Sequence, residues 1–281
     1  LEDGPLNASV GGVVMFRTTG PPTEEPFFMV IWNFINDGRV IISSMPTQNT
    51  TGPGYEGRIT LFRSTGSLEL RNLTLSDSGT YGVSILPVGE NTQIGTTRLD
   101  IYERVSNVKV APHGTDLVEF NSTVSLSCSS SGPFLSFFWT NSSSNVTASD
   151  RIQISVTDEG TKLTIVNVTR HDKGPYICNV FNPVSNHRSN PVNLSIIDGP
   201  DNIQLMVSPS KETYPEVSDI YLSCSVESEP VPQYLWLLDG NRLSNTGPEL
   251  SLTNIQVNQS GNYSCQAFNS KTMRYITSQP S

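Results

Sequence analysis

The string Asp77-Ser-Gly-Thr-Tyr81 decides the fold, because close variants of it recur later in the chain. The variants are Asp172-Lys-Gly-Pro-Tyr176 and Gln259-Ser-Gly-Asn-Tyr263, and the intervals between them are close to the length of a small domain. A glycine followed by a tyrosine at the start of a β-strand is typical of a tyrosine corner, whose hydroxyl bonds to upstream backbone. The three strings therefore predict an internal repeat of β-domains.

Cysteines and tryptophans repeat in register with these strings. The four cysteines form sequential pairs, Cys128 with Cys178 and Cys224 with Cys265, separated by 50 and 41 residues. One tryptophan precedes each string, and the three are Trp32, Trp139 and Trp236. A tryptophan between two cysteines, with a tyrosine two residues before the second cysteine, is typical of the immunoglobulin-like β-sandwich. The spacing predicts one inter-sheet disulfide in each of the last two repeats and tryptophans buried in the cores.

The length of 281 residues accommodates three such domains of about 100 residues. We predict an all-β chain of three tandem immunoglobulin-like β-sandwiches over residues 1–102, 103–198 and 199–281. The stretch from tryptophan to tyrosine is longest in the first repeat, which leaves room for two additional edge strands, C′ and C″, and indicates a variable-type domain. The shorter second and third repeats indicate constant or intermediate types.

The first repeat has no disulfide, because Thr18 and Val83 occupy its two cysteine positions. A disulfide between these positions would close a loop of about 65 residues and stabilise the domain by about 4 kcal/mol. Packing and polar contacts must supply this margin instead. Arg58 and Asp77 have the spacing of a buried ion pair at the turn before strand F, and we expect them to bond.

Composition excludes one class of partner and indicates a compartment. The chain has 17 basic and 26 acidic residues, a formal charge of −9 and no basic cluster, which argues against nucleic-acid binding. No apolar run reaches the ~20 residues of a membrane helix, and paired cysteines indicate an oxidising compartment. Ten Asn-x-Ser/Thr sequons favour the secretory route: Asn7, Asn49, Asn72, Asn121, Asn141, Asn145, Asn167, Asn193, Asn258 and Asn262. We expect a secreted chain or one on the extracellular side of the plasma membrane, with any anchor outside this sequence.

A candidate binding face follows from strand alternation in the first repeat. With Trp32, Tyr81 and Val83 facing the core, alternate neighbours on strands C, C′ and F face solvent. These outward residues are predicted to be Met29, Ile31, Asn33, Ile35, Val40, Ile42, Ser84 and Leu86. Exposed apolar patches of this kind mark docking sites. The alternative is that the segment from Pro46 to Tyr55 covers Met29 and Ile31.

The predicted positions of attached sugars are expected to leave this face free for a partner. The sequons Asn7, Asn49 and Asn72 are predicted on strand A, between C′ and D, and on strand E. Bulky glycans there would shield the opposite sheet and leave the predicted face bare.

Catalytic and metal constellations are not indicated. The histidines His113, His171 and His187 fall in separate parts of the fold, and no cysteine is left free as a nucleophile. Asp198 and Asp201 are too isolated to predict a calcium site. We therefore predict no enzyme activity, no metal, no cofactor and no small-molecule substrate.

Several stretches resemble the carcinoembryonic-antigen-related cell adhesion molecule (CEACAM) family. The stretches Gly57–Phe62 and Ser67–Thr74, with the first string, resemble its amino-terminal variable domain, which also lacks the disulfide. Six further stretches resemble the constant-like domains and linkers of this family: Asn167–Asp172, Asn182–Ser185, Asp198–Asp201, Leu222–Cys224, Gln233–Trp236 and Ser264–Ser270. The resemblance covers nearly the whole chain and implies a surface adhesion or signalling receptor.

The resemblance also implies how the face is used. Amino-terminal domains of the family bind like and unlike partners through it, with a tyrosine directly after the tryptophan as one anchor; Asn33 stands there in this chain. Ser84 and Leu86 match a polar and an apolar contact position. Sialic-acid-binding lectins of the superfamily need an outward arginine on strand F, and Gly82, Ser84 and Leu86 supply none, which argues against sugar binding.

The expected function is therefore adhesion or recognition of a protein partner through this face. The partner is expected to be a protein on another cell or a copy of this chain. The alternative is a heterophilic immune receptor or decoy that recognises a different host protein or a microbial adhesin.

Overall fold

The computed structural model describes residues 1–20, 22, 27–114, 116–142 and 144–281. Within these residues the regular structure consists of β-strands and three short 3-10 helices, with no α-helix and no helix able to cross a membrane. The chain divides into two compact units. One contains residues 1–109, 128–138 and 178–189, and the other contains residues 110–127, 139–177 and 190–281.

Residues 1–102 form a six-stranded and a three-stranded sheet around one core. The strands are β1 Leu6–Ser9, β2 Val13–Phe16, β3 Met29–Phe34, β4 Arg39–Met45, β5 Gln48–Thr51, β6 Ile59–Phe62, β7 Ser67–Arg71, β8 Gly79–Leu86 and β9 Gln93–Tyr102, with the 3-10 helix η1 at Leu75–Asp77. The sheet orders are β1-β9-β8-β3-β4-β5 and β2-β7-β6. β1 runs parallel to β9, and the other pairs in these two sheets are antiparallel.

Residues 106–188 contribute the next strands. They are β10 Ser106–His113, β11 Leu117–Val118, β12 Val124–Ser131, β13 Ser136–Asn141, β14 Ser144–Asn145, β15 Ile152–Thr157, β16 Gly160–Ile165, β17 Tyr176–Asn182 and β18 Ser185–Arg188, with η2 at Arg170–Asp172. Two sheets have the orders β10-β12-β16-β15 and β14-β13-β17-β18.

The remaining strands form two further sheets. They are β19 Ile196–Ser208, β20 Ile220–Glu229, β21 Gln233–Leu238, β22 Asn241–Arg242, β23 Glu249–Leu252, β24 Tyr263–Asn269 and β25 Arg274–Thr277, with η3 at Val257–Gln259. The sheet orders are β11-β19-β20-β23 and β22-β21-β24-β25. The stretch Asp198–Asp201 lies inside β19, so a strand continues through the predicted boundary.

Aromatic packing fills the core of residues 1–102. Phe16 lies with its ring centroid 5.5 Å from Trp32 and 4.4 Å from Tyr81. Val83 is buried beside them in the same core. Thr18 lies two residues beyond the end of β2, where its hydroxyl donates to the carbonyl of Thr65 at 2.5 Å. Rings and a side-chain hydrogen bond thus occupy the place that a disulfide takes elsewhere.

Both disulfides form with the pairing that the spacing predicts. Cys128 is bonded to Cys178, and Cys224 is bonded to Cys265. Trp236 is fully buried in one core cluster with the second pair. Trp32 and Trp139 are buried as well, in agreement with their predicted place in the core.

The turn before β8 contains the Arg58–Asp77 pair that the spacing predicts. The Arg58 Nη2 and Asp77 Oδ2 atoms are 2.5 Å apart, and Asp77 is buried. The Asp77 carboxylate also accepts the Thr74 N–H at 2.8 Å, and the Tyr81 hydroxyl donates to the Asp77 carbonyl at 2.7 Å. Asp77 therefore bonds to Arg58 and to the turn through its carboxylate, and to the tyrosine corner through its backbone carbonyl.

The later repeats rebuild this turn with different groups. Arg151 Nη1 lies 2.9 Å from Asp172 Oδ2, a pair that the sequence reading missed. In the third repeat Gln259 replaces the aspartate, and its Oε1 accepts the Gln256 N–H at 2.9 Å. Tyr263 donates to the Gln259 carbonyl at 2.8 Å, so this turn keeps its geometry with an uncharged side chain.

Two buried carboxylates are held ionised by arginines. Hydrogen bonds from the Arg170 guanidinium, at 2.7 Å to Glu119 Oε2, lower the pKa of Glu119 below its usual value. Burial opposes ionisation of Asp172, but hydrogen bonds from Arg151 and Thr169 outweigh it, and the pKa of Asp172 is also lowered. Burial is also the main cause that raises the pKa of Tyr176 to about 12.

Replacing Arg58 with methionine should lower the local free energy of unfolding by about 3 kcal/mol, because the buried Asp77 would lose its cation. The matched control is Arg98→Met, which removes an exposed arginine paired with Asp100 at 2.8 Å and should cost less than about 1 kcal/mol. Amide hydrogen exchange in β8 measures both changes. Equal losses in the two variants would show that the buried pair contributes no more than an exposed one.

Stability should fall in acid, because the pKa of Glu119 is lower in the folded chain than in the unfolded chain. Its contribution is complete above the unfolded value of about 4.3 and is lost as the pH falls through the lowered folded value. We expect Glu119→Gln to be less stable than the original chain at pH 7 and to lose less stability on acidification. Denaturant unfolding of both chains at pH 7 and at a pH below the folded pKa of Glu119 measures this. An equal loss of unfolding free energy on acidification in the two chains would contradict it.

Candidate functional site

The side of the six-stranded sheet that points away from the core is called the outer face. Along β3 the residues alternate strictly, with Val30, Trp32 and Phe34 buried. Met29, Ile31 and Asn33 are half-buried on the opposite side. The predicted alternation of this strand is therefore present.

The outer face continues without a break onto β8. In the antiparallel register Met29 lies opposite Leu86, and Ile31 lies opposite Ser84. Residues directly opposite one another share a face, which brings these four side chains together. Ser84 is also opposite Ile94 of β9, so the row extends across a third strand.

Ile94 is the outer-face residue that the sequence reading missed. Its side chain is 82% exposed, and it is followed by outward Thr96 and Arg98. The sequence contained a signal for this orientation. Leu99 and Ile101 alternate with polar residues, which predicts that they face the core and that Ile94 faces the other side.

Ile35 and Val40 lie on the hairpin formed by β3 and β4 and are more exposed than Met29 and Ile31. They are 50% and 43% exposed. A Cβ atom on Gly82 would lie 2.7 Å from Ile35 Cδ1, so the isoleucine side chain lies directly over this glycine. Gly82 thereby allows Ile35 to lie flat on the outer face, beside Asn33.

Ile42 is not part of the outer face, and its predicted outward orientation is wrong. It is only 7% exposed and belongs to the core with Ile41. The register passes from Trp32 opposite Ile42 to Asn33 opposite Val40, so Ile41 is an additional residue in β4. Such a bulge shifts the alternation, which leaves Val40 outside and Ile42 inside.

The segment from Pro46 to Tyr55, the predicted alternative cover, adds to the sheet. Its central part forms β5, which pairs with β4 at the sheet edge. The Tyr55 side chain is buried in the core. Met29 and Ile31 are half-buried.

Two charged pairs lie near the end of this sheet where β3 leads into β4, and Arg39 lies on the core side there because it is opposite the buried Phe34. Arg39 and Asp37 form an exposed pair with 2.5 Å between Nε and Oδ2, and this hydrogen bond raises the pKa of Arg39. The Arg39 guanidinium also lies 5.3 Å from the centroid of the Phe34 ring. Arg98 pairs with Asp100 on β9. The row formed by Met29, Ile31, Ser84, Leu86 and Ile94 lies toward the other end of the sheet and contains no charged residue.

Family models match almost the whole chain. An immunoglobulin V-set domain matches residues 2–102, an immunoglobulin I-set domain matches residues 111–196, and an immunoglobulin domain matches residues 202–280. The curated relatives include the cell adhesion molecule CEACAM16 of Mus musculus, 28% identical over 94% of this chain, and that of Rattus norvegicus, 31% identical over 80%. The chain is a CEACAM-like immunoglobulin protein. It spans 60% and 53% of the length of these two relatives.

Solved structures share the fold of this CEACAM-like chain. Murine CEACAM1b matches with a TM-score of 0.58 and 24% identity, over 69% of this chain and 96% of that structure. The full ectodomain of mouse nectin-like molecule 4 matches with a TM-score of 0.60 and 18% identity, over 97% of this chain and 94% of that structure. A three-domain fragment of titin also matches, at a TM-score of 0.50 and 19% identity over 97% and 93%, so the fold alone does not set the function.

Two sequons lie on the edges of the outer-face sheet of the CEACAM-like chain, which corrects the prediction that sugars would shield only the opposite sheet. Asn7 is exposed in β1, and Asn49 is exposed in β5. The Ser44 hydroxyl lies 2.6 Å from Asn49 Oδ1. The prediction failed because β1 pairs with β9 and β5 with β4, so both outermost strands belong to this sheet. No sequon lies on the four strands between these edges, which are β9, β8, β3 and β4.

Asn72 and Asn167 have structural roles besides being sequons. Asn72 directly follows β7 and has a φ of 50°, and its carbonyl accepts from Arg58. Asn167 also has a φ of 50°, and its carbonyl accepts from Arg151 at 3.0 Å. Asn254 has the same conformation without a sequon. These asparagines are favoured because they tolerate left-handed backbone.

The other sequons lie at the surface. Asn141 is half-buried, and the exposed ones are Asn121, Asn145, Asn193, Asn258 and Asn262.

The three histidines lie in three different elements, and both linker aspartates lie in β19. His113 ends β10, His171 lies in η2, and His187 lies in β18. Asp198 Oδ2 is 2.9 Å from Lys173 Nζ, and Asp201 Oδ1 is 2.9 Å from Arg274 Nη2. The described residues contain no group of three or more His, Cys, Asp or Glu side chains that could hold a metal ion.

Replacing Asn167 with alanine should lower the free energy of unfolding by about 1 kcal/mol, because a left-handed residue with a Cβ is strained. Replacing it with glycine, which adopts this conformation freely, should be close to neutral. Denaturant unfolding of sugar-free, oxidatively refolded protein measures both. A loss as large for glycine as for alanine would contradict a backbone role.

Proposed function

We propose that this chain is the ectodomain of an adhesion or recognition protein that binds a protein partner through the outer face. The supporting observation is the uncharged row Met29, Ile31, Ser84, Leu86 and Ile94, which crosses three adjacent strands. Apolar rows that stay partly exposed, as this one does with Ile94 at 82%, are uncommon on soluble monomers unless a partner covers them. Adhesion is favoured by the similarity to CEACAM16 of mouse and rat, which is a cell adhesion molecule.

The proposed architecture is three domains over residues 1–102, 103–198 and 199–281, with a variable-type first domain that has no disulfide. The family-model ranges fall within these bounds. We propose that the chain is non-catalytic and acts on the extracellular side of the plasma membrane or as a secreted protein. Its paired cysteines and surface sequons favour that compartment.

The chemistry of the outer face favours a protein with a matching apolar surface. An uncharged row, with the Arg98–Asp100 pair farther along the same face, fits a protein interface, which has a dry centre and a polar rim. The two exposed asparagines Asn7 and Asn49 lie on the outermost strands, where sugars would border the row. A second copy of the chain meets this description through a two-fold contact of identical faces.

The rival is a heterophilic receptor or decoy that uses the same face for a different host protein or a microbial adhesin. Sedimentation equilibrium of the full chain at up to about 100 μM separates the two, since a weak homodimer is populated at this concentration. A strict monomer would favour the heterophilic partner.

Ile31→Asp and Ile94→Asp should each weaken self-association, or capture of a cell-surface partner by the full chain, by at least about tenfold. The physical reason is the cost of burying an unpaired carboxylate in the interface. The matched control is Val13→Asp, because Val13 is 56% exposed on the three-stranded sheet. Circular dichroism verifies the fold of all three variants. Full-strength binding by both outer-face variants would rule out this face.

A further inference from the structure

β15 is an open sheet edge without the usual protection against pairing. It is the last strand in the order β10-β12-β16-β15, and its sequence Ile-Gln-Ile-Ser-Val-Thr contains no charge and no proline. Natural edge strands are usually protected by lysine, proline or a bulge. The pairing of β15 with β16 is regular over all six residues. The strand is therefore suited to accept another strand.

The main-chain groups of alternate residues in β15 point to the open edge. The Arg151 carbonyl accepts the Val166 N–H at 2.9 Å, and the Ser155 carbonyl accepts the Thr161 hydroxyl at 3.1 Å. Odd-numbered residues therefore direct their groups toward β16. In an antiparallel ladder the intervening residues direct theirs to the other side. The N–H and C=O groups of Ile154 and Val156 consequently face the edge.

The side chains of these two residues are exposed although their cross-strand partners are buried. Ile154 lies opposite the buried Leu163, and Val156 lies opposite the buried Thr161. Ile154 is nevertheless 40% exposed and Val156 is 89% exposed. Both side chains therefore stay uncovered at the open edge of the sheet, where another strand would lie beside them.

We propose that β15 pairs antiparallel with β15 of a second copy of this chain, about a two-fold axis through Ser155. In this register Ile154 of each copy lies opposite Val156 of the other. Each of the two pairs makes two main-chain hydrogen bonds, four in all. The apolar side chains of Ile154 and Val156 then cover each other across the axis.

Charge distinguishes this register from the neighbouring one. Centring on Ser155 places Arg151 opposite Glu159 of the second copy. Centring on Ile154 would place Asp150 opposite Asp158, and like charges directly opposite are destabilising. The acidic turn after β15 thus disfavours the register centred on Ile154 relative to the one centred on Ser155.

This contact is separate from the proposed function. It uses residues 150–160, which lie in the other compact unit from the outer face. A single strand pair buries less area than a stable dimer interface, so we expect the contact to be weak.

A cysteine at the axis tests the register directly. In the full chain with Ser155→Cys, the two copies of residue 155 form a non-hydrogen-bonded pair with Cα atoms about 4.5 Å apart, within disulfide range. We expect a covalent dimer on mild oxidation. The control Gln153→Cys should give none, because residue 153 faces Thr157 of the second copy. No dimer, or equal dimer from both variants, would overturn the proposal.

A second change tests the edge hydrogen bonds. Val156→Pro removes an N–H that points away from β16, so the β15–β16 ladder keeps its bonds. We expect it to reduce cross-linking of the Ser155→Cys chain at least about tenfold, since it removes two of the four bonds, whereas Val156→Ile should leave cross-linking unchanged. Undiminished cross-linking with proline would overturn the strand pairing. Ile31→Asp should not change cross-linking, so failure here and failure of the outer face are distinguishable.

Discussion

The burial of Trp32 is the constraint on which the outer face depends. Once this side chain occupies the core, the neighbouring residues of β3 must point outward. Antiparallel pairing then transmits this orientation to β8, and from β8 to β9, because opposite residues share a face. A single buried ring therefore determines which apolar side chains of three strands can meet a partner.

The turns before β8, β17 and β24 show how the repeats retain one geometry with different chemistry. Asp77 and Asp172 bond to an arginine, whereas Gln259 satisfies the equivalent backbone N–H with an amide. The common requirement is an acceptor that closes the 3-10 turn, and the charge is optional. Left-handed asparagines precede these turns for the same geometric reason. A sequon at such a position is therefore weak evidence of glycosylation.

The sequence predicted the features that depend on local alternation and on spacing. These include both disulfides, the Arg58–Asp77 pair and the outward orientation of Ile31 and Ser84. It failed for Ile42, because a bulge in β4 depends on pairing with β3 and leaves no mark in the composition of β4. It misplaced Asn7 and Asn49 because membership of a sheet is a tertiary property of β1 and β5. The open edge of β15 was likewise invisible, since an edge is defined by the neighbour that a strand lacks.

Side-chain oxidation footprinting by hydroxyl radicals, with and without bound partner or at high and low concentration of the chain, tests the outer face most directly. The account predicts that Met29, Leu86 and Ile94 lose reactivity on binding, while Val13 and Phe62, exposed on the three-stranded sheet, keep theirs. Protection of Val13 and Phe62 with unchanged reactivity of Ile94 would contradict it.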